Sequence, residues 1–434
     1  MTDSKKMTRR SVLKLMGGMA AGGAASGFGF AQPLFNINRL QNGPVLNMLS
    51  HSSPQTESYR RTGEAFMAET GIGLNITEVP FNELQVKMMT ELLAQTGAYD
   101  IVPITNAMMY PAAPYLEDLG GLYTDELIAD LSPSSVENSQ DMQGVFRGMP
   151  MLNSMPANFY RTDLLEAAGL SAPTNWEEYL EVAKALTIEP TDGSPKIWGT
   201  LIEASARAVQ PAFKLVGWFY QAGGGLADEN MAPTVNSEAN VMALQYIVDL
   251  VHTHHVAPPE TAEMIYEDVH NLFIQGRGGT AINWQYMVGM GNNPDLSVVV
   301  DKFAVAPVPQ GVAKGVVVDH WLTVVPKDSA NKDAALQYIE FAMTKERQQD
   351  LLQSEGLVAR YSAMDPNDPV VQAANPFIGA WLEEMEWAQP LPKWAQINNV
   401  MQRLSVAMNT AVTQAATPQQ ALDEAQAEIV MMVR

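Results

Sequence analysis

Hydrophobic positions switch between two spacings along 45–105, and the switching predicts strand, helix, strand, helix, strand. Val45–Ser50 (VLNMLS) is a short apolar run. After the polar loop His51-Ser52-Ser53-Pro54, the residues Tyr59, Gly63, Phe66 and Met67 recur at helical spacing. Gly71 and Gly73 stop that helix, and Leu74–Val79 (LNITEV) has the β-branched content of a strand. Leu84, Met88 and Leu92, seconded by Met89 and Leu93, mark a second helix that Gly97 ends. Tyr99–Ile104 (YDIVPI) reads as a third strand. Strands alternating with helices of this length are βαβ units, which imply a parallel sheet covered on both faces.

The pattern then changes. Residues 107–148 are punctuated by Pro and Gly, with one acidic helix start around Thr124–Asp130, and read as the rim of a first domain ending near Gly148–Asn153. A second α/β pattern follows. Pro173–Leu186 opens a helix; Trp198–Glu203, Thr280–Trp284 and Phe303–Pro307 are candidate strands; Pro211–Gln221 is aromatic-rich and runs into Gly223-Gly224-Gly225. Asn236–Val251 and Asp268–Gln275 show amphipathic helical spacing. Val316–Val325 reads as one long strand interrupted by Asp319-His320, before a helix from Lys332 to about Leu352. The tail is helical over Ile397–Ala416. Beyond it Thr417-Pro418 serve as cap and first position, and Leu422, Ala425, Ile429 and Met432 share one face.

An address precedes all of this. Arg9-Arg10 lie ahead of Leu15–Phe30, a mild run heavy in Gly and Ala, which resembles a twin-arginine export signal over 1–31. That run is too short and too soft to span about 30 Å of hydrocarbon. Removing it would take the net charge from −22 to near −26, since it holds five Lys/Arg and one Asp. Such acidity argues against nucleic acid or an anionic membrane as partner. The absence of cysteine removes thiol catalysis, Cys-ligated zinc and a lipid-modified N-terminus, and leaves an exported protein to rely on a large core. The mature length of about 400 residues suits two domains.

In open α/β sheets, ligands collect at the carboxyl ends of strands. Those ends carry Ser50-His51-Ser52-Ser53 and Thr105-Asn106, which makes His51 and Asn106 candidate ligand contacts. Glu57 and Glu83, near the starts of the first two helices, are further candidates, although a carboxylate at a helix N-terminus is already explained by the dipole. No Gly-rich phosphate loop occurs. The histidines His252, His254 and His255 have poor ligand spacing, and Met88, Met89 and Met401 fall at core spacing, so no metal site is expected. Glu383, Glu384 and Glu386 are sequence neighbours on a helix and cannot face one another across a glycosidic bond. No G-x-S-x-G nucleophile motif is present, and no cofactor is implied.

Five stretches together resemble the extracellular solute-binding proteins of sugar importers of the ATP-binding-cassette type, the broad family that includes maltose-binding protein. They are Pro173–Thr187, Gly223–Leu226 with Val235–Glu238, Leu272–Arg277 leading to Ala281–Trp284, Val325–Ser329 with its following helix, and Thr417–Leu422. Tyr160-Arg161-Thr162-Asp163 departs from the Tyr-Asn-Lys-Asp that the family often has. The resemblance implies the α/β two-lobed type II periplasmic-binding-protein fold, each lobe a mostly parallel sheet flanked by helices, with the ligand cleft between. It places residues 45–148 plus 311–346 in the N-terminal lobe and 153–305 plus 349–434 in the C-terminal lobe. The hinge segments fall near 149–152 and 306–310. It makes Trp284 the stacking tryptophan, adds Asp319, His320 and Arg360 at positions that reach ligand, and leaves Trp218 and the close-approach Gly224 as candidates beside the glycines. The implied function is capture of a carbohydrate or polyol in the periplasm by a monomer, which hands it to a membrane permease without catalysis. Alternatives are an exported glycan hydrolase, or the same fold with a non-sugar solute.

Overall fold

The computed structural model describes residues 43–191 and 193–434. The expected export signal, 1–31, lies outside them. Two sheets organise the chain. The first contains β1 (Val45–His51), β2 (Gly73–Val79), β3 (Val102–Thr105), β4 (Gly148–Ser154) and β10 (Asp319–Val324). β1 pairs with β2 in parallel, and Met48 bridges Ile101 in parallel just ahead of β3. β10 then runs antiparallel between β3 and β4. The order is therefore β2-β1-β3-β10-β4, with only β10 reversed. The second sheet has order β6-β7-β5-β8, from β5 (Pro156–Arg161), β6 (Trp198–Leu201), β7 (Gly278–Trp284) and β8 (Phe303–Ala306). β6 and β7 are parallel, and β5 alone runs against both its neighbours.

Because one strand is reversed in each sheet, the chain passes between sheets with little connecting length. β4 leaves the first sheet at Ser154 and β5 enters the second at Pro156, with only Met155 between. The return runs from Ala306 to Asp319. Along it, β9 (Val316–Val317) pairs with β11 (Ala388–Gln389).

Helices cover both faces, as the alternating pattern required. α1 (Pro54–Thr70) and α2 (Phe81–Ala94) flank the first sheet. Leu84, Met88 and Leu92 point into the core, while Leu93 and Met67 are exposed. α3 (Asn106–Ala112) follows β3 directly. Around the second sheet stand α4 (Trp176–Ala185), α5 (Gln210–Gln221), α6 (Glu238–His252) and α7 (Tyr266–Ile274). α8 (Lys332–Ala342) and α9 (Lys345–Glu355) pack on α1, and α10 (Ile378–Met385) lies against β8. α11 (Ile397–Val412) and α12 (Pro418–Met432) pack on each other, and α11 also packs on α5. Side chains cap the helix starts at Ser237 and at Thr417, the latter as read from sequence. Ser237 accepts from Asn240 N–H, and Thr417 forms a capping box with Gln420. Among the described residues no helix is long and apolar enough to cross a membrane.

Four expected elements differ. The third strand begins at Val102 rather than Tyr99, because Asp100 is a polar anchor. Its carboxylate accepts from Asn47 N–H and from Ser329 Oγ, and the chain straightens only beyond it. The single strand over 316–325 is two, divided at Val318 where the pairing partner changes from β11 to β4. The helix expected over 332–352 breaks at Thr344, whose extended backbone (φ −62°, ψ 150°) restarts it as α9. α11 ends at Val412, short of Ala416.

Candidate functional site

The strand directions bring two polar edges together around Met155. On the first sheet the carboxyl ends of β1, β3 and β4 carry His51, Thr105 and Ser154, and the reversed β10 brings Asp319 opposite Ser154. On the second sheet the carboxyl end of β7 places Trp284 opposite Pro156, the first residue of β5. Glu203 lies two residues past the end of the neighbouring β6. This is where an open α/β sheet holds a ligand.

The first edge is aromatic. His51 stacks on Trp321 with ring centroids 4.7 Å apart and 23° between planes, and meets the edge of Phe81 at 5.5 Å. Burial pulls His51 down to a pKa of about 4, so it is a neutral ring at physiological pH. Its Nδ1 and the hydroxyl of Ser53 are buried with no hydrogen-bond partner among the described residues. Asp319 is partly exposed, yet its Oδ1 is buried without a partner. Burial raises its pKa to about 8 against the favourable backbone N–H of His320. Buried polar atoms are almost always paired, so unpaired ones on a shared edge are informative.

The second edge is built on Trp284. Lys214, on α5, sets its Nζ 4.5 Å from the centre of the indole, and Tyr266, on α7, meets the ring edge-on at 5.8 Å and 82°. Lys214 donates to Glu203 Oε2 at 2.6 Å, with side chains 4% and 0% exposed, while Glu203 Oε1 has no partner. Burial pulls both groups towards their neutral forms, and their mutual attraction opposes it. His270 Nδ1 lies 2.9 Å from the hydroxyl of Tyr286, and burial lowers that histidine to about 4. No group of three or more His, Asp or Glu able to hold a metal occurs among the described residues.

The structure gathers His51, Asp319 and Trp284 on these edges and disperses the other candidates. His320 sits one residue from Asp319 on a pleated strand, so it faces the opposite way and is fully buried. Its Nδ1 lies 2.8 Å from Asn153 Oδ1, burial lowers its pKa to about 3, and the edge residue beyond it is Trp321 instead. Asn106 is the first residue of α3 rather than a free strand end. Its carbonyl oxygen accepts from His320 N–H and its amide donates to Asn138, so both ends are used inside the first lobe. Trp218 packs in the core with Trp176, Tyr179 and Tyr246. Gly224 does permit a close approach, but by Asn240, whose Oδ1 would lie 2.1 Å from an added Cβ. Arg360 is tied to Asp130 at 2.6 Å and donates to Met343 O. Glu57 is exposed and bridged to Arg60, and Glu83 is exposed at the first turn of α2. Sequence reasoning missed Glu203, Lys214 and Tyr266. The one available signal for Glu203 was its place as the last residue of the predicted strand Trp198–Glu203.

Two lobes meeting at strand ends around short crossings define a solute-binding fold of the maltose-binding type. Residues 52–349 match the family of bacterial extracellular solute-binding proteins, and the chain belongs to that family. Its fold is shared by the maltose-bound protein MalE3 of T. maritima, with a TM-score of 0.81 at 24% identity over 90% of this chain and all of that one. A ribitol complex of a solute-binding protein from Agrobacterium radiobacter K84 gives 0.79 at 25% identity, over 90% and 98% of the two chains. Among relatives by sequence, the mannitol-binding protein of Pseudomonas aeruginosa is 24% identical over 71% of each chain. A protein of Sinorhizobium fredii named as a probable amino-acid transporter periplasmic-binding protein is 24% identical over 92% of this chain and 91% of its own. These relatives are binding proteins.

Proposed function

We propose that this chain is the solute-capturing component of an ATP-binding-cassette importer, and that its solute is an uncharged carbohydrate or polyol. The observation that carries the reading is the match between two facing edges: an aromatic surface on each, beside buried polar atoms that have no partner. A sugar or polyol offers hydroxyls that donate to the buried carboxyl oxygen of Asp319 and accept from Ser53. Its C–H faces suit Trp284 and the His51–Trp321 stack. Relatives named for mannitol and ribitol support the class.

The first expected hinge, 149–152, falls inside β4. In this reading the hinge therefore lies at 154–156 and along 307–318, and ligand bridging both edges favours the closed state because only that state offers both sets of contacts. The permease then receives the closed form. The protein is exported through its twin-arginine signal, acts as a monomer in the periplasm, and turns over nothing, since Glu203 is engaged by Lys214 and is not available as a second catalytic carboxyl group.

The test is thermal unfolding of the full chain against mannitol, ribitol, maltose, amino acids and polyamines. A ligand at 100 times its dissociation constant adds about 2.7 kcal/mol. A rise of several degrees with a polyol or sugar is expected. A rise with an amino acid or polyamine alone overturns the solute class, and hydrolysis of a glycan overturns the assignment as a binding protein.

A further inference from the structure

The indole of Trp284 is not free on both sides. Lys214 Nζ stands over one face at 4.5 Å, and Tyr266 closes one edge at 5.8 Å. The ammonium is itself held by Glu203 Oε2 at 2.6 Å, and neither side chain of that pair reaches solvent to any extent. Glu203 leaves the end of β6, Lys214 stands in the first half of α5, and Trp284 ends β7, so three separate elements converge on one ring.

A buried ion pair of this kind is weak evidence for stability, because apolar side chains of equal volume commonly do as well. What an ion pair supplies and an apolar pair does not is direction. A cation over an indole face holds the ring plane normal to the line of approach. Glu203 fixes where that cation stands, and its charge cancels the charge that Lys214 would otherwise present to a ligand.

We propose that Glu203 and Lys214 are a positioning pair for Trp284. They lock the indole in one orientation, occupy one of its faces, and leave the opposite face as a neutral stacking platform for an uncharged polyhydroxylated ligand. This rests on the reading that Trp284 meets the ligand. Lys214 acts through Trp284 and is not itself a ligand contact.

The test uses the full chain labelled with 5-fluorotryptophan. The Trp284 fluorine resonance is assigned as the one missing in Trp284→Phe. Three further variants are compared: Lys214→Arg, the double variant Glu203→Leu/Lys214→Met, which removes the pair without leaving a charge unpaired, and Trp284→Ala. The double variant is expected to unfold within a few degrees of the parent, and its Trp284 resonance to broaden or split as the ring samples several orientations. The other seven tryptophans should be unmoved, and binding of D-mannitol, ribitol or maltose should weaken about tenfold. Lys214→Arg keeps the cation and is expected to restore a single sharp line. A sharp Trp284 line in the double variant, with parental affinity, overturns the positioning role while Trp284→Ala still abolishes binding. If Trp284→Ala binds as the parent does, the platform reading itself fails. The line shape is read without ligand, so the orientation of the ring is decided even where none of the three probes binds.

Discussion

At the scale of single residues, the same side-chain type serves opposite ends according to its neighbours. Trp284 and Trp218 were equally aromatic and equally apolar in flanking sequence. The fold puts the first at a strand end beneath Lys214 and the second among three other rings. Trp218→Ala is expected to cost about 3–5 kcal/mol of stability through the cavity it leaves, with affinity preserved in whatever remains folded. Trp284→Ala should lose binding with a smaller loss of stability. Denaturant unfolding and calorimetric titration on both variants separate the two. The site was partly legible: His51 and Trp284 stood at strand ends, where the sheet rule points. Glu203 and Lys214 were not, because residues eleven apart in sequence meet only once β6 and α5 are packed. Asn106 was read as a free strand end, whereas the chain turns directly from Thr105 into a helix of which Asn106 is the first residue.

Titration makes a second argument at this scale. Glu355 ends α9 buried, with Oε1 unpartnered, and burial raises its pKa to about 8 from an ordinary 4.5. Between those values the native carboxyl keeps a proton that the unfolded one has lost. Native therefore binds more protons than unfolded, and stability falls as pH rises through that window. Glu355→Gln is expected to flatten the decline between pH 5 and 8, read as unfolding midpoints across pH. His320 carries the opposite sign. Its native pKa of about 3 lies below the ordinary 6.5, so its contribution grows as pH rises between those values.

At the scale of elements, α10 is the helix on which both crossings converge. Trp381 donates from Nε1 to Met155 O at 3.2 Å, on the crossing from β4 to β5. One turn later, Glu384 Oε1 accepts from Val308 N–H at 2.6 Å, on the return. Both side chains are fully buried, and burial raises the pKa of the Glu384 carboxyl, opposed by the Val308 N–H. Read in sequence, Glu383, Glu384 and Glu386 were neighbours on a helix, unable to face one another across a glycosidic bond. The helix turns Glu384 inward, which periodicity alone did not disclose because the flanking glutamates hide it. Glu384→Gln keeps an acceptor for Val308 and is expected to be nearly neutral. Glu384→Leu leaves that N–H buried without a partner and should cost about 1–3 kcal/mol. Chemical denaturation of the pair measures the difference. Most helices were legible from spacing, as over Asn236–Val251, or from a cap, as at Thr417. The strands that changed partner, such as the one divided at Val318, were not, since pairing is a tertiary choice.

At the scale of the whole molecule, polar contacts join the two lobes away from the cleft edges. Asn398, on α11, donates to Gln85 Oε1 on α2 at 2.9 Å, and Lys393 donates to the carbonyl of Glu137 at 3.0 Å. α11 packs on α5 beside the second sheet, whereas α2 flanks the first, so the amide pair spans the lobes. With the hinge proposed at 154–156 and 307–318, such a contact is expected to form in the closed arrangement and to break as the lobes part. A contact made in one state only shifts the equilibrium towards that state by its own free energy. For a partly exposed amide pair this is about 0.5–1.5 kcal/mol, or roughly a 2- to 13-fold change in the ratio of closed to open forms. Asn398→Ala should therefore weaken ligand binding by up to that factor without touching either cleft edge, and should raise the radius of gyration of the ligand-free protein in solution scattering. Saturating ligand should return the radius to the parental value, because the cleft contacts are intact and can repopulate the closed state. Unchanged scattering together with unchanged affinity would mean that the pair is equally formed in both states, and that the hinge lies elsewhere than at these crossings.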